Sequence, residues 1–255
     1  MLAPRTLRDS GVWPFPRYAK VKRGARAGER GQTAPPGRPP PHRVLFHRPL
    51  LEGSPTRATL QLVNHLAHLL LGGPQPELLI GNLAGDFVHG PLRERFTPEV
   101  RAGIVMHRRI DTFTDTHAAV GESRRIIAVR FGHYSRIIAD IFFDHFLAVS
   151  WDAYVSESLE GFLERSFALL DDYVVVMPEG LQRIYPRMRD GSWFRSYATL
   201  DGIYLALAHT SNRLSRRPDL AAATSLLVEQ HAPLRQRFES FFPEIMAYAS
   251  ELRNG

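Results

Sequence analysis

The chain has no cysteine. Disulfides, zinc–thiolate sites and thiol nucleophiles are therefore excluded, and any metal site must draw on His, Asp, Glu or Asn. No apolar run approaches the ~20 residues of a membrane span. The N-terminus lacks a signal-peptide core, so a cytoplasmic protein is the default expectation, with no membrane partner. A phosphate loop ending in Gly-Lys-Ser/Thr is missing, as is a Gly-x-Ser-x-Gly nucleophile elbow, so NTPase and serine-hydrolase readings have little support. Alternating apolar patterns are also missing: Tyr173-Val174-Val175-Val176 is the longest strand-like run.

The formal charge of +6 is unevenly spread. Residues 1–61 hold 12 Arg and Lys against 3 acids, whereas the remainder holds 20 Arg against 23 acids, a balance of −3. The alkaline pI belongs to the first segment, and nucleic-acid binding does not follow from it. That segment also holds 10 of the 19 prolines, including the run from Ala34 to Pro41. Such a composition predicts a disordered extension. Residues 62–255 then form a single compact all-α bundle. Its expected helices are Leu60 to Leu71, Glu77 to His89 as a short element, and Thr97 to about Thr116. Ala118 to Phe131, Tyr134 to Val149, Leu159 to Tyr173, Glu179 to Met188 and Tyr197 to Leu214 follow. A last pair runs from Leu220 to Glu229 and from Pro233 to Leu252, the latter bent or interrupted at Pro243.

The third helix organises the chain. Its start, Thr97-Pro98-Glu99, combines a capping hydroxyl, proline at the first helical position and an acid at the positive helix end. Along it, His107, Asp111 and Asp115 recur at i, i+4 and i+8, within an arc of about 80°. A His and two carboxylates on one face suit a divalent cation. The plainer alternative is a solvated face on which Arg108 and Arg109 hold the aspartates. Asp144 and His145 lie inside the most apolar segment, Ile141 to Leu147, one turn after Asp140. A carboxylate there must be paired, protonated or metal-bound. The alternatives are an ion pair of Asp144 with Arg108 or Arg109 and a satisfied core histidine at 145. Asp86 is either a ligand or a cap, and His68, one turn after Asn64, either a ligand or core packing. Histidine and aspartate from several helices can hold a cation that polarises a phosphoryl oxygen and activates water. A nearby arginine would neutralise the phosphate.

Four motifs, in order, resemble the acyl carrier protein phosphodiesterases. They are Asn64-His65-Leu66-Ala67-His68-Leu69, Gly81 to Val88, Gly103 to Asp111 and Asp144-His145-Phe146-Leu147, with Ser215-Arg216-Arg217-Pro218 also fitting. The resemblance implies an all-α fold akin to the HD phosphohydrolases. It implies hydrolysis of the phosphodiester between 4′-phosphopantetheine and the carrier serine, with a divalent cation, manganese before magnesium. Asp86, His107, Asp111, Asp144, His68 and His145 become candidate ligands. Asp86, His107, Arg108, Arg109 and Asp111 become candidate catalytic groups. Asn64, Arg124, Arg125, Arg213, Arg216 and Arg217 become candidate substrate contacts. Two departures stand out: His65 where an aromatic is usual, and Gly85 for a more typical alanine. Family chains begin with Met just before the Asn64 motif, where Val63 stands here. Residues 1–62 are therefore a start-site error or an appended arm. A nucleotide-directed metal phosphohydrolase and a non-enzymatic helical module remain the alternatives.

Overall fold

The computed structural model describes residues 64–92 and 96–254. The expected extension of residues 1–61, and the first turn of the helix expected from Leu60, lie outside them. Among the described residues the regular elements are helices and there is no strand. None of these helices is long and apolar enough to cross a membrane.

Helix α1 (His65–Leu71) ends in Gly72-Gly73-Pro74, with Gly73 in the left-handed region at φ 76°. Helix α2 (Pro76–Ala84) starts with proline at its first position, where no N–H is missed, and runs into a 3-10 turn at Gly85–Phe87. Helix α3 (Pro98–Thr116) starts as its sequence requires: the Thr97 hydroxyl accepts from the Val100 N–H at 3.3 Å. Helix α4 (Ala118–Phe131) is capped by the His117 ring, which accepts from the Ala119 N–H at 3.2 Å. Then come α5 (Ser135–Val149), the short α6 (Trp151–Tyr154), α7 (Leu159–Asp171), α8 (Glu179–Arg189) and α9 (Ser192–Ser196). The last three are α10 (Leu200–Arg213), α11 (Ala223–Glu229) and α12 (His231–Asn254).

Two features of this arrangement position the site. The first is α5, which is apolar nearly all round and therefore central. It touches α1, α4, α10 and α12, and Phe142 and Phe146 are fully buried. The second is the crossing of α2 and α3, which lets their backbones touch at Gly81 and Gly103. A Cβ on either glycine would lie 2.8 Å from the other's Cα. No larger residue fits there without parting the helices.

Several boundaries differ from the sequence expectation. Helix α1 starts at His65, with Asn64 outside it as a left-handed N-cap at φ 71°. The valines after Tyr173 form a 3-10 turn, with Val175 largely exposed, because an isolated apolar triplet has no partner strand. The stretch from Tyr197 to Leu214 opens with a turn after α9, and α10 starts only at Leu200, since the Thr199 hydroxyl caps that start by accepting from the Gly202 N–H at 3.1 Å. Leu220–Ala222 is 3-10 rather than α. Helix α12 continues through Pro243 without interruption.

Candidate metal centre

Three side chains converge between α1 and α3. His68 on α1 and His107 and Asp111 on α3 place one ligand atom each within 4.8 Å of one another. Asp111 bridges the two rings, with Oδ1 at 3.2 Å from His68 Nε2 and Oδ2 at 3.2 Å from His107 Nε2. Asp86, on the turn after α2, adds a second carboxylate, its Oδ1 at 3.3 Å from the same His107 Nε2. The two imidazoles stack, centroids 4.1 Å apart at 27°. His68, His107 and Asp86 are buried and Asp111 is half-buried, so the group opens to solvent on one side.

Packing and hydrogen bonding aim these groups. The Asn82 amide donates to the His68 backbone carbonyl at 2.6 Å, which turns Oδ1 toward His68 Nδ1 at 3.3 Å. Nδ1 donates to Asn82, and Nε2 is the ring atom turned to Asp111. Asn82 is fully buried and was not singled out by sequence reasoning. Its signal was present: a lone amide one turn before Asp86 in an otherwise apolar helix. Gly85 supplies space, because a Cβ there would lie 2.6 Å from His107 Cβ. Arg108 donates to the carbonyls of Val88 and Gly90 at 3.1 and 2.9 Å, strapping the segment after Asp86 onto α3.

The electrostatics are those of a site that needs positive charge. Burial opposes protonation of His107, but its bonds to Asp111 and Asp86 outweigh that and raise its pKa to about 10. Burial likewise opposes ionisation of Asp111, yet the two histidines hold its carboxyl far below the usual carboxylate range. A divalent cation would satisfy both carboxylates and release the His107 proton. Two imidazole nitrogens and carboxylate oxygens are the donor set that such ions accept.

The other expected site residues sit elsewhere. Asp144 is fully buried, and its oxygens accept the Leu66 and Ala67 N–H groups at 3.2 and 3.1 Å. It thus caps the first turn of α1, pairing with neither Arg108 nor Arg109. Burial pushes its carboxyl up to about 8 against those two bonds. The buried His145 ring meets the Tyr197 carbonyl at 2.8 Å. Asp115, third in the α3 stripe, is held by Arg124 at 2.9 Å and by Arg136. Arg124 also faces Asp140 at 3.8 Å. Arg109, Arg125, Arg213, Arg216 and Arg217 are exposed. Asn64 and His68 line a cavity of about 30 Å³ together with Thr114, Asp140 and Phe143, room for one water.

Fold and centre together define an all-helical protein with a buried His/Asp group able to hold a metal ion. The acyl carrier protein phosphodiesterase family model matches residues 63–245, and the chain belongs to that family. It is 35% identical over 193 residues to the acyl carrier protein phosphodiesterase of Yersinia enterocolitica, covering 74% of this chain and 98% of that one. The protein of the same name from Yersinia pestis is 36% identical over 191 residues, 73% and 97% of the two chains. That of Escherichia coli O157:H7 is 33% identical over 193 residues, 74% and 98% of the two chains. No solved structure matches, so the expected kinship with the HD phosphohydrolases gains no structural neighbour.

Proposed function

We propose that this chain hydrolyses the phosphodiester joining 4′-phosphopantetheine to the serine of acyl carrier protein, with a divalent cation held by His68, His107 and Asp111. The observation that carries the reading is the convergence of these residues, from two motifs far apart in sequence, into one group with two buried histidines and a half-buried aspartate. Manganese is the proposed ion and magnesium the second choice. The donors fit: two imidazoles whose Nε2 atoms face one carboxylate, with a second carboxylate alongside. Such an ion polarises a phosphoryl oxygen and lowers the pKa of water. Asp111 holds both rings in place, and Asn82 fixes the His68 tautomer. Asp86 is the carboxylate left to take the proton from the attacking water, and Arg108 keeps it there. Water adds to phosphorus, the bond to the serine oxygen breaks, and that oxygen takes up the proton that Asp86 accepted from the water. Exposed Arg125, Arg216 and Arg217 are available to meet an acidic carrier protein, whereas Arg124 is committed to Asp115.

The test is incubation of the purified protein with Mn²⁺ and holo carrier protein. Release of phosphopantetheine, abolished by EDTA and restored by Mn²⁺, is the expected result. Hydrolysis of nucleotide phosphodiesters alone would redirect the reading to another substrate class.

A further inference from the structure

The cavity of about 30 Å³ at His68 has no part in the chemistry above. Helices α1, α3, α5 and α12 line it. Its inner wall is apolar: Leu71, Ile110, Phe143, Phe242 and Ile245 are all buried. Its outer edge is made by the half-buried Asn64, Thr114 and Asp140. Protein interiors are otherwise close-packed, and an unfilled void costs stability. The apolar wall gives a water few hydrogen-bond partners.

Two of the helices that line this hollow also carry the candidate ligands. His68 belongs both to the cavity and to the His/Asp group. On α3, Ile110 and Thr114 stand i, i+4 along the cavity, with Asp111 directly after Ile110. The hollow therefore adjoins the cation site. At its edge Asn64 holds the left-handed conformation, φ 71°, and its side chain makes no capping bond to α1. That amide is not committed to the helix it precedes.

The two sides of the phosphodiester differ in bulk. One is the serine of a folded carrier protein, which must stay at the surface. The other is the slender phosphopantetheine arm, which can reach a recess. Its ester oxygen is followed by a single CH₂ and then by a quaternary carbon with two methyl groups. The next carbon bears a hydroxyl. The most branched apolar point of the arm thus lies close to the phosphate, with a polar group beside it. An apolar hollow next to the ligands, with an amide and a hydroxyl at its edge, matches that order. A volume that holds one water also holds one methyl group.

We propose that this cavity is the subsite for the gem-dimethyl carbon of the phosphopantetheine arm, one methyl entering the hollow while the neighbouring hydroxyl stays at the Asn64 and Thr114 edge. The assignment rests on the phosphodiesterase reading above. It makes the cavity the feature that distinguishes a phosphopantetheinyl diester from other phosphodiesters.

The probes are 4′-phosphopantetheine and an analogue lacking both methyl groups, with binding measured by calorimetry in the presence of Mn²⁺. The wild type should bind the analogue about tenfold more weakly, the least that a missing methyl group is worth in an apolar pocket. Ile245→Phe fills the hollow from α12, which carries no candidate ligand, and should make the two dissociation constants equal. Thr114→Leu closes the hollow from its half-buried edge and should do the same, so the test survives if the buried substitution prevents folding. Equal binding of the two probes by the wild type, no binding of either, or a preference that persists in the folded variants would overturn the subsite. Cleavage of holo carrier protein by a wild type that does not distinguish the probes would leave the phosphodiesterase reading standing without the subsite. The preference, found in a wild type that never releases phosphopantetheine, would keep the subsite and remove that reading.

Discussion

Asp144 and His65 show how a buried polar group can serve the site without entering it. Removing the Asp144 carboxylate leaves two backbone N–H groups at the start of α1 unpaired in the core. Asp144→Ala should therefore cost about 1–3 kcal/mol, read as a lower Tm by circular dichroism, and Asp144→Asn should recover part through its one acceptor oxygen. An unchanged Tm would show that water replaces the carboxylate. His65 makes a pH prediction. Burial lowers its pKa from 6.5 to about 4, with Asp86 pulling the other way. The unfolded chain binds the proton first, so stability is full above pH ~6.5 and falls as pH drops toward ~4, by about 2 kcal/mol at pH 5. His65→Phe keeps the contacts with Phe87 and Trp193 and removes this dependence. The difference in Tm between wild type and variant should change between pH 7.5 and pH 5, and a constant difference would refute the assignment. His107 and Asp111 were legible because i, i+4 spacing puts side chains on one face whatever the tertiary context. The partners of Asp144 were not legible, because burial of an acid demands a partner without saying which, and here they are backbone N–H groups 77 and 78 residues away.

Helix α3 supplies two of the candidate ligands, but its place against α2 decides whether they meet Asp86. Gly103 lies at the crossing, one turn before His107, and a Cβ there would meet Gly81 Cα at 2.8 Å. Gly103→Ala should part the two helices, cost about 1–3 kcal/mol by overpacking, and weaken Mn²⁺ binding measured by calorimetry. Gly85→Ala acts closer in, since the methyl would press on the root of the His107 side chain. Its expected effect is a loss of Mn²⁺ affinity larger than its loss of stability; the reverse order would show that the ring simply moves aside. Helix identities were readable wherever caps and periodicity agreed, as at Thr97 and from Ala118 to Phe131. Boundaries failed where tertiary packing overrode the local pattern. Trp151–Tyr154 is a separate short helix whose Trp151 indole donates to the Glu157 carbonyl at 2.8 Å, a side-chain-to-backbone bond that apolar periodicity does not encode. The split at Thr199 was a capping signal left unread inside an apolar run.

At the scale of the whole molecule, the His/Asp group joins three successive segments of the chain. His68 comes from α1, Asp86 from the turn after α2, and His107 and Asp111 from α3. A ligand that binds only when all three are assembled stabilises the folded chain by mass action. With free Mn²⁺ at about 100 times its Kd, the gain is about 2.7 kcal/mol, or roughly 5–10 °C in Tm for a domain of this size. Without the ion, the raised proton affinity of His107 balances the two carboxylates, so the metal must displace that proton. The Mn²⁺-induced rise in Tm should consequently grow with pH between 6 and 8. His107→Ala and Asp111→Ala should each abolish it, while Arg235→Gln, which removes an arginine paired with Glu239, should retain it. A thermal-shift series with Mn²⁺, Mg²⁺ and EDTA on these variants tests this without carrier protein. A full Mn²⁺ shift in His107→Ala would place the ion elsewhere in the chain and remove the basis of the proposed hydrolysis.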